Sequence, residues 1–442
     1  MMSLDPYLLV RAASIYLVLM LTVAVWLWRR PRQEAVAGAV LASVWNLPLV
    51  LLLNVVAQWR GWWRFDARGG LLLGIPLELY LSWVWLWGAL PALAFPSTPV
   101  LAVAALAFVA DLILMPASLP VVRLGHGWFI GEAIGLALGL VPALLLARWT
   151  TDRQQLPKRA MLQVIAFAGF VVFVLPAIAI DGSGAGWLPP TERALWQLSL
   201  IAQVLFLPLL MGLSAVQEFV TRGGGTPVPF DPPRRLVTTG VYAYLRNPMQ
   251  LSALLLLLCL GVVLGNLWIS AAGLMTHLYS IGFAAWDEDE DLRRRFGSTW
   301  IVYRTAVRSW LPRLRPWREP GIPSGRLYVA GTCETCRGVA EWFERRDPIG
   351  LDILPAESHA SRALTRITYE GGGTRETVSG VIAVGRALEH IHLGWALVGM
   401  LFRLPGISAL IQLVVDASGG EPRPIAAPHT TAATASTRAA RR

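Results

Sequence analysis

The sequence contains few cysteines and few charged residues. Its 442 residues include 3 cysteines, and Asp, Glu, Lys and Arg together make up 15% of the chain. So few cysteines exclude a disulfide framework, and one of them, Cys259, lies inside an apolar run. The hydrophobic content of 55% excludes a single soluble core and predicts a protein that crosses a membrane several times.

Lysine is almost absent. Lys158 is the only one, so the net charge of +10 is carried by arginine. The arginines cluster beside apolar runs, which favours anionic lipid head groups as partners, and we expect no nucleic-acid partner. The first apolar run, 12–28, is followed by Arg29 and Arg30 rather than by small residues, so no cleavable signal peptide is predicted.

The apolar runs predict about nine membrane spans, each of about 20 residues. Arginine-rich loops mark the cytoplasmic side, and their positions predict an outside N-terminus and a cytoplasmic C-terminal domain in a bacterial-type inner membrane. The loop 60–68 contradicts this count, so either an early span is misplaced or residues 59–65 lie in the membrane interface. The runs are 12–28, 35–58, 71–95, 100–119, 128–147, 161–180, 195–216, 249–265 and 267–286.

The expected fold is mainly α, a polytopic transmembrane helical bundle followed by a small C-terminal α/β domain. Residues 1–190 hold spans of unknown role, and residues 191–316 hold the last long span and a helical hairpin. Residues 317–325 are rich in proline and glycine and form a linker. Short strand and helix patterns alternate over 326–420, and residues 421–442, rich in Ala, Thr and Pro, are expected to be disordered.

The most informative stretch surrounds the apolar hairpin 249–286. A polar and aromatic segment precedes the hairpin, and a segment with acidic and then basic residues follows it. Both resemble membrane methyltransferases typified by isoprenylcysteine carboxyl methyltransferase and phospholipid methyltransferase. The matching positions are Gly240, Tyr242, Arg246, Asn247, Pro248, Glu288, Leu292, Phe296, Gly297, Tyr303 and Pro312. The departures are Asn247 for a common His, Gln250 for an aromatic residue, Asp289 for a second Glu and Trp300 for a Tyr.

The resemblance implies an S-adenosylmethionine-dependent methyltransferase that acts on a lipid or a lipophilic small molecule. Methyl transfer is an in-line displacement, so the site must align donor and acceptor and exclude water. By this resemblance Arg246 would pair with the donor carboxylate, Glu288 would bind its hydroxyl or amino groups, and three tyrosines would line the adenine. The expected cofactor-binding residues are Gly240, Tyr242, Tyr244, Arg246, Asn247, Pro248, His277, Glu288, Asp289 and Tyr303.

These charged residues also have simpler interpretations. Arg246 alone is typical of an interfacial anchor, and the acids followed by bases in 287–295 are typical of a solvated helix. Ionisable groups inside spans are costly, so they are candidates either for function or for structural pairing. The sequence places four such groups in its apolar runs, namely Glu78, Asp111, Glu132 and His277.

A C-x-x-C motif lies in the C-terminal region. Cys333 and Cys336 follow a predicted strand and open a predicted helix, whose N-terminus lowers the pKa of a thiol. The region resembles the thioredoxin-like DCC family of thiol-disulfide oxidoreductases, with Gly331 and Trp395 near their expected places. That resemblance implies a redox pair with a thiol or disulfide partner. A structural zinc site needs four ligands, and a second cysteine pair is missing, so no metal is expected.

Two alternative functions stay open. Membrane sterol-type reductases have a similar hairpin with an Arg-x-Pro element and bind NADPH, although their Ser-Arg-His-Pro-Asn-Tyr string is not found here. The other alternative is a membrane redox adaptor, in which the hairpin is a relic and Cys333 and Cys336 pass electrons.

Overall fold

The structure is a computed structural model. It describes residues 6–184, 192–228, 231–359, 363–373 and 376–423, without the side chains of residues 6 and 283–287. The predicted disordered tail therefore lies outside the described residues from position 424 onward. Packing divides the chain into two compact units. Unit 1 comprises Met1–Phe206, Phe219–Arg235 and Ala253–Ile281, and unit 2 comprises Leu207–Glu218, Leu236–Ser252 and Gly282–Arg442.

The described residues form helices α1–α17 and strands β1–β8. The helices are α1 Pro6–Arg29, α2 Gln33–Arg60, α3 Leu77–Leu86, α4 Ala89–Ala94, α5 Val100–Ala117, α6 Trp128–Gly135, α7 Val141–Thr151, α8 Leu156–Gly169, α9 Leu175–Ser183, α10 Leu195–Glu218, α11 Pro248–Leu264, α12 Leu267–Tyr279, α13 Ala285–Ala306, α14 Glu334–Glu344, α15 Val381–Leu388, α16 Leu393–Arg403 and α17 Ile407–Val415. The strands are β1 Trp63–Phe65, β2 Leu71–Leu72, β3 Ile75–Pro76, β4 Val122–Leu124, β5 Gly325–Val329, β6 Leu351–Pro355, β7 Thr368–Glu370 and β8 Thr377–Ser379.

Several of these helices have the length and composition of membrane spans. Within the described residues 7 spans pass a test of length and hydropathy: Tyr7–Arg29, Gln33–Arg60, Leu77–Ala94, Val100–Ala117, Trp128–Thr151, Leu156–Ser183 and Leu195–Gly223. They expose large apolar side chains; on α5, Leu101 is 78% exposed and Ile113 is 69% exposed. Exposed apolar faces of this extent indicate contact with lipid. The predicted mainly helical, multi-pass class is confirmed.

The predicted span 71–95 begins too early. Leu71–Leu72 and Ile75–Pro76 form the antiparallel hairpin β2–β3, and α3 starts only at Leu77. The turn residues Leu73 and Gly74 both have positive φ, at 52° and 76°, as a tight hairpin turn requires. The leucines of this hairpin give it the hydropathy of a membrane span, so the sequence pattern does not show the turn.

The apolar hairpin expected to supply the last two spans is shorter than the others. α11 has 17 residues, which corresponds to about 26 Å, and α12 has 13. A π-helical segment, Ser280–Ala284, joins α12 to α13. The structure therefore has a short apolar pair where the sequence predicts spans eight and nine.

The core of unit 1 is formed by aromatic and aliphatic side chains at one end of α2. Trp63 and Trp87 are each 1% exposed, and Ile75 is fully buried. Strand β1 pairs with β4 in antiparallel register, with Trp63 opposite Leu124. The loop 60–68, which contradicts the predicted order of the spans, therefore includes a strand. Gly38 allows α2 to approach α7 closely, because a Cβ there would lie 2.6 Å from the carbonyl oxygen of Ala147.

The C-terminal part of unit 2 contains a four-stranded sheet. Its strand order is β6-β5-β7-β8, with β5 and β6 parallel and the other two pairs antiparallel. Helix α14 connects β5 to β6, and α15 follows β8. The alternation of short strands and helices predicted over 326–420 is confirmed for the described residues of this region.

The apolar sequence 395–416 would suit one continuous helix, but it does not form one. The chain forms α16 and α17 instead, and their axes differ by 91°. Pro405 and Gly406 lie at the break, and Gly406 has a φ of 84° that favours glycine.

Candidate functional site

A short loop before α11 carries the first half of the methyltransferase-like motif. Gly240–Ala243 form one 3-10 turn, and α11 begins at Pro248. The segment after α13 holds this loop by its backbone. The amides of Arg313 and Trp317 donate to the carbonyls of Tyr244 and Ala243, at 2.9 and 2.8 Å.

Arg246 lies at the centre of this arrangement. Its backbone amide donates to the carbonyl of Arg308 at 3.0 Å, and its Nη1 donates to the carbonyl of Arg304 at 3.0 Å. The guanidinium also hydrogen bonds to the Ser309 hydroxyl and lies 5.4 Å from the ring centre of Trp300. Burial lowers the pKa of Arg246, while nearby tyrosine and carboxyl groups act in the opposite direction.

Glu288, in the second half of the motif, is close enough to Arg246 for the two charges to interact. The residue keeps an exposed surface, but its carboxylate is close enough to other protein atoms that loss of hydration raises its pKa. The positive charge of Arg246 opposes that rise, and a hydrogen bond with Gln250 does so too. The structure thus brings the two halves of the motif together, and Gln250, one of the departures from the family pattern, contacts Glu288.

The Asp289 carboxylate accepts hydrogen bonds from other residues of α13. Trp300 Nε1 donates to its Oδ1 at 2.9 Å, and both of its oxygens contact Arg304. Burial alone would raise the pKa of Asp289, but Trp300 and Arg304 lower it below its ordinary value. Gly297, with φ 52° and ψ −127°, kinks α13 between these partners. This geometry favours a structural role for Asp289.

The three predicted tyrosines are buried. Tyr303 is 1% exposed and its hydroxyl donates to the carbonyl of Tyr242 at 2.9 Å, a contact that connects α13 to the motif loop. Tyr244 is fully buried and its hydroxyl donates to the carbonyl of Glu389 at 2.8 Å. Burial raises the pKa of Tyr242, Tyr244 and Tyr303. All three are therefore neutral side chains of the core.

The other candidates lie in separate places. The Asn247 amide donates to the carbonyl of Ser309 at 3.3 Å, beside Arg246. His277 is a half-buried residue of α12 in unit 1. Glu78 is paired with Arg11 at 2.8 Å. Asp111 and Glu132 are 2% and 1% exposed, and their carboxyl groups are close enough to interact electrostatically.

Sequence reasoning missed Glu218, the last residue of α10. It is 1% exposed and accepts hydrogen bonds from Arg386 and Arg403 at 2.8 and 2.6 Å. The hydroxyl of Thr239 also donates to Glu218. Its only signal in the sequence is an acid at the end of the apolar run 195–216. We define Glu218, Arg386, Glu389 and Arg403 as the buried ion cluster.

The charges of this cluster are balanced by close pairing. Arg386 and Arg403 both contact Glu218 and Glu389, and Arg386 also contacts Glu376 at 2.9 Å. Burial alone would lower the pKa of Arg386, but the adjacent carboxylates raise it well above its ordinary value. The cluster joins the end of α10 to α15 and α16 inside unit 2.

Cys333 and Cys336 lie at the N-terminus of α14, as predicted. Both are free thiols, and the Cys333 sulfur accepts a hydrogen bond from the Cys336 amide at 3.4 Å. The side chain and the amide of Cys336 lower the pKa of Cys333. Burial raises the pKa of Cys336 to about 11. Glu357 fixes the preceding loop, because it accepts hydrogen bonds from the amides of Gly331 and Thr332 at 3.0 and 3.1 Å.

Comparison with known protein families finds a match to part of the chain. Residues 205–299 match the family model described as phospholipid methyltransferase. This segment is similar to phospholipid methyltransferases. It covers about a fifth of the chain and includes the motif loop, Arg246 and Glu288. No curated protein and no solved structure matches the chain. The likeness to phospholipid methyltransferases supports a membrane methyltransferase and does not extend to the C-x-x-C region.

Proposed function

We propose that this protein is an S-adenosylmethionine-dependent methyltransferase of the membrane that acts on a lipid or a lipophilic small molecule. The observation that carries the proposal is the contact between the two halves of the motif, which lie on either side of the apolar hairpin in the sequence: Arg246 Nη1 donates to the carbonyl of Arg304 at 3.0 Å, and the Tyr303 hydroxyl donates to the carbonyl of Tyr242 at 2.9 Å. The family match of residues 205–299 supports the same activity. The arginine-rich loops favour a cytoplasmic donor site in a bacterial-type inner membrane.

The side chains present suit the proposed donor. An arginine has five N–H donors in a planar fork that matches a carboxylate. The described contacts of Arg246 use one direction each of its Nη1 and Nη2 groups. Glu288 offers an acceptor for ribose hydroxyl or amino groups. Asp289 and Tyr244, whose polar atoms are already engaged, would support the site rather than contact the donor.

S-adenosylmethionine supplies an electrophilic methyl group on a sulfonium. The protein has to hold donor and acceptor in line and keep water out. Arg246 would orient the donor, and the buried core of Tyr242, Tyr303 and Trp300 would form a dry wall behind it. For an amine acceptor, the Glu288 carboxylate would accept the proton that the amine loses, since its pKa is raised.

Donor binding to the full-length protein in detergent tests this assignment. We expect Glu288→Gln to weaken binding of tritiated S-adenosylmethionine about tenfold, because one hydrogen bond to a charged group contributes about 1.5 kcal/mol. The matched control is Glu290→Gln, two residues away, whose side chain is 52% exposed and pairs with Arg294. Unchanged binding in the Glu288→Gln variant, with methyl transfer retained, would refute the role of Glu288.

The pH dependence of donor binding gives a second measurement. The pKa of Glu288 is raised above its ordinary value of 4.5, so the binding form with an ionised carboxylate is lost as the pH falls through this raised value. Binding should therefore weaken on acidification while the protein stays folded, and the Glu288→Gln variant should not show this transition. Methyl transfer to phosphatidylethanolamine vesicles, compared with a lipophilic carboxylic acid, would then identify the acceptor class.

For the C-terminal region we propose a thioredoxin-like fold with thiol-disulfide exchange activity, on residues 326–420 after the linker 317–325. The strand order with one parallel pair supports this fold, and so does the position of the C-x-x-C motif at the N-terminus of α14, the helix that follows β5. The Cys333 thiolate would attack a disulfide of the partner, and the first partner thiolate would leave. The Cys336 thiol would then lose its proton and attack the Cys333 sulfur, which releases the second partner thiolate. The partner gains two electrons and the cysteine pair becomes a disulfide.

Alkylation by iodoacetamide at graded pH tests this second function. Only thiolates react quickly, so Cys333 should react at lower pH than Cys336, whose pKa is about 11. Mass spectrometry of the two peptides gives each profile. Identical profiles would remove the support for a nucleophilic Cys333. Asymmetric alkylation in a protein that does not bind the methyl donor would instead favour the membrane redox adaptor.

A further inference from the structure

The last helix of the C-terminal region, α17, has its polar and apolar faces in an unusual orientation. Its polar side chains bind the rest of the unit: Gln412 Oε1 accepts from the Val381 amide at 2.9 Å. Just beyond the helix, Asp416 accepts from Arg366 at 2.8 Å. Its large apolar side chains point away, and Leu410, Leu413 and Val414 are 62%, 67% and 59% exposed. No residue of α17 is buried.

An outward apolar face is unfavourable in water. Surface helices of soluble domains place the apolar stripe toward the core and the polar residues toward the solvent. In α17 this order is reversed within nine residues. The reversal indicates that the surroundings of the outer face are apolar.

Contacts inside unit 2 place α17 near the end of a membrane span. Gln217 Nε2 donates to the carbonyl of Arg403 at 2.9 Å, and Glu218 binds the Arg403 side chain at 2.6 Å. Gln217 and Glu218 lie near the end of the span Leu195–Gly223. Arg403 is the last residue of α16, and α17 starts at Ile407. The start of α17 therefore follows, by four residues, an arginine that contacts the end of this span.

A transmembrane course for the pair α16 and α17 does not fit the packing. Together the two helices are apolar enough to form a span, but they are bent by 91°. Ala396 and Met400 of α16 are fully buried in unit 2. The apolar face of α16 is thus buried inside the protein. Of these two helices, α17 is the one with an exposed apolar face.

We propose that α17 lies in the plane of the membrane interface, with Leu410, Leu413 and Val414 inserted among the lipid acyl chains. Short helices with one apolar face bind the boundary between head groups and acyl chains in this way. The occupant of this surface is the same bilayer that α10 crosses. The helix anchors the C-terminal region to that membrane face, and this inference does not depend on the enzymatic activity.

Site-directed fluorescence on the full-length protein tests the position of α17. The three native cysteines are replaced by serine, and a bimane label is attached to Leu413→Cys. The protein is reconstituted in phosphatidylcholine–phosphatidylglycerol vesicles. A matched aqueous control is Glu344→Cys, an exposed residue of α14, and a lipid-facing control is Leu207→Cys on α10, which is 50% exposed.

The label at position 413 should be quenched several-fold more by a nitroxide attached high on a lipid acyl chain than by aqueous iodide, as at position 207. The label at position 344 should show the opposite preference. Equal iodide quenching at positions 413 and 344 would overturn the proposal. Protection of position 413 from both quenchers would also overturn it, because a protein partner, such as a second copy of the chain, would then cover the helix.

Discussion

Each of the two units contains a cluster of buried ionisable side chains, and the two clusters follow opposite rules. In unit 1, Asp111 and Glu132 are two acids in contact, 2% and 1% exposed, inside membrane-spanning helices. Among the described residues, the Glu132 oxygens have no hydrogen-bond partner. In unit 2, the buried ion cluster pairs acids with arginines, and Glu218 and Arg386 have side chains 1% and 4% exposed.

The difference shows two ways in which a protein can bury ionisable groups. Two adjacent carboxyl groups cannot both be ionised in an apolar environment, so they share one proton and carry at most one charge. Acids paired with arginines stay ionised and depend on exact pairing, because removal of one partner leaves an uncompensated buried charge. A single substitution in the buried ion cluster should therefore lower the free energy of unfolding far more than one in the pair Asp111 and Glu132.

The largest effect is expected from Glu218→Ala. The substitution leaves Arg386 and Arg403 with one fewer carboxylate, and breaking a buried ion pair costs about 3–5 kcal/mol. Denaturant unfolding in detergent, followed by tryptophan fluorescence, measures the change in the free energy of unfolding. Glu290→Gln on the exposed surface of α13 is the control and should have almost no effect. A loss below about 1 kcal/mol would show that the cluster is hydrated like a surface pair.

An intermediate effect is expected from Gly240→Ala, which tests how tightly the buried ion cluster is packed. Gly240 has a φ of 60°, and a Cβ there would lie 2.9 Å from the carboxyl carbon of Glu218. The left-handed backbone costs a non-glycine residue about 1 kcal/mol, and displacement of Glu218 adds to this. Gly265→Ala is matched in φ, at 66°, with nothing within 4 Å, so it isolates the backbone cost. Equal losses in both variants would show that the Glu218 side chain moves freely.

The smallest effect is expected from Asp111→Asn in unit 1. An amide has nearly the shape of a protonated carboxyl group, and Glu132 can stay neutral beside it. We expect the free energy of unfolding to change by less than about 1 kcal/mol, in the same denaturant experiment. A loss as large as that of Glu218→Ala would mean that the pair holds a charge that the protein needs, and the contrast between the two clusters would fail.

Features with a local signal were predicted well. The long apolar runs predicted most of the spans, and the short alternating strand and helix patterns after the linker predicted the strand before Cys333. The motif placed Arg246 and Glu288 together, although its matching residues lie on either side of a hairpin. The β2–β3 hairpin was missed because its leucines continue an apolar run. Pro405 and Gly406 separate α16 from α17, but apolar residues stand on both sides of them, so the stretch has the composition of one helix.

Features that depend on distant partners could not be predicted. Glu218 is a single acid at the end of an apolar run, and its partners Arg386 and Arg403 lie in a different part of the chain. Tyr244 was expected at the adenine, but its hydroxyl binds the carbonyl of Glu389. A sequence pattern shows which residue types are present and does not show which hydrogen bonds are already made.

The hydrogen bond from Tyr244 to Glu389, together with the buried ion cluster, has a practical consequence for work with fragments of this protein. A chain shortened to end at Pro316 would keep the complete methyltransferase-like motif but would lose Arg386 and Arg403, which bind Glu218, and the Glu389 carbonyl, which binds the Tyr244 hydroxyl. Activity assays on such a shortened chain would therefore measure a damaged motif loop, and a negative result would say nothing about the enzyme. Biochemical screening should begin with all 442 residues.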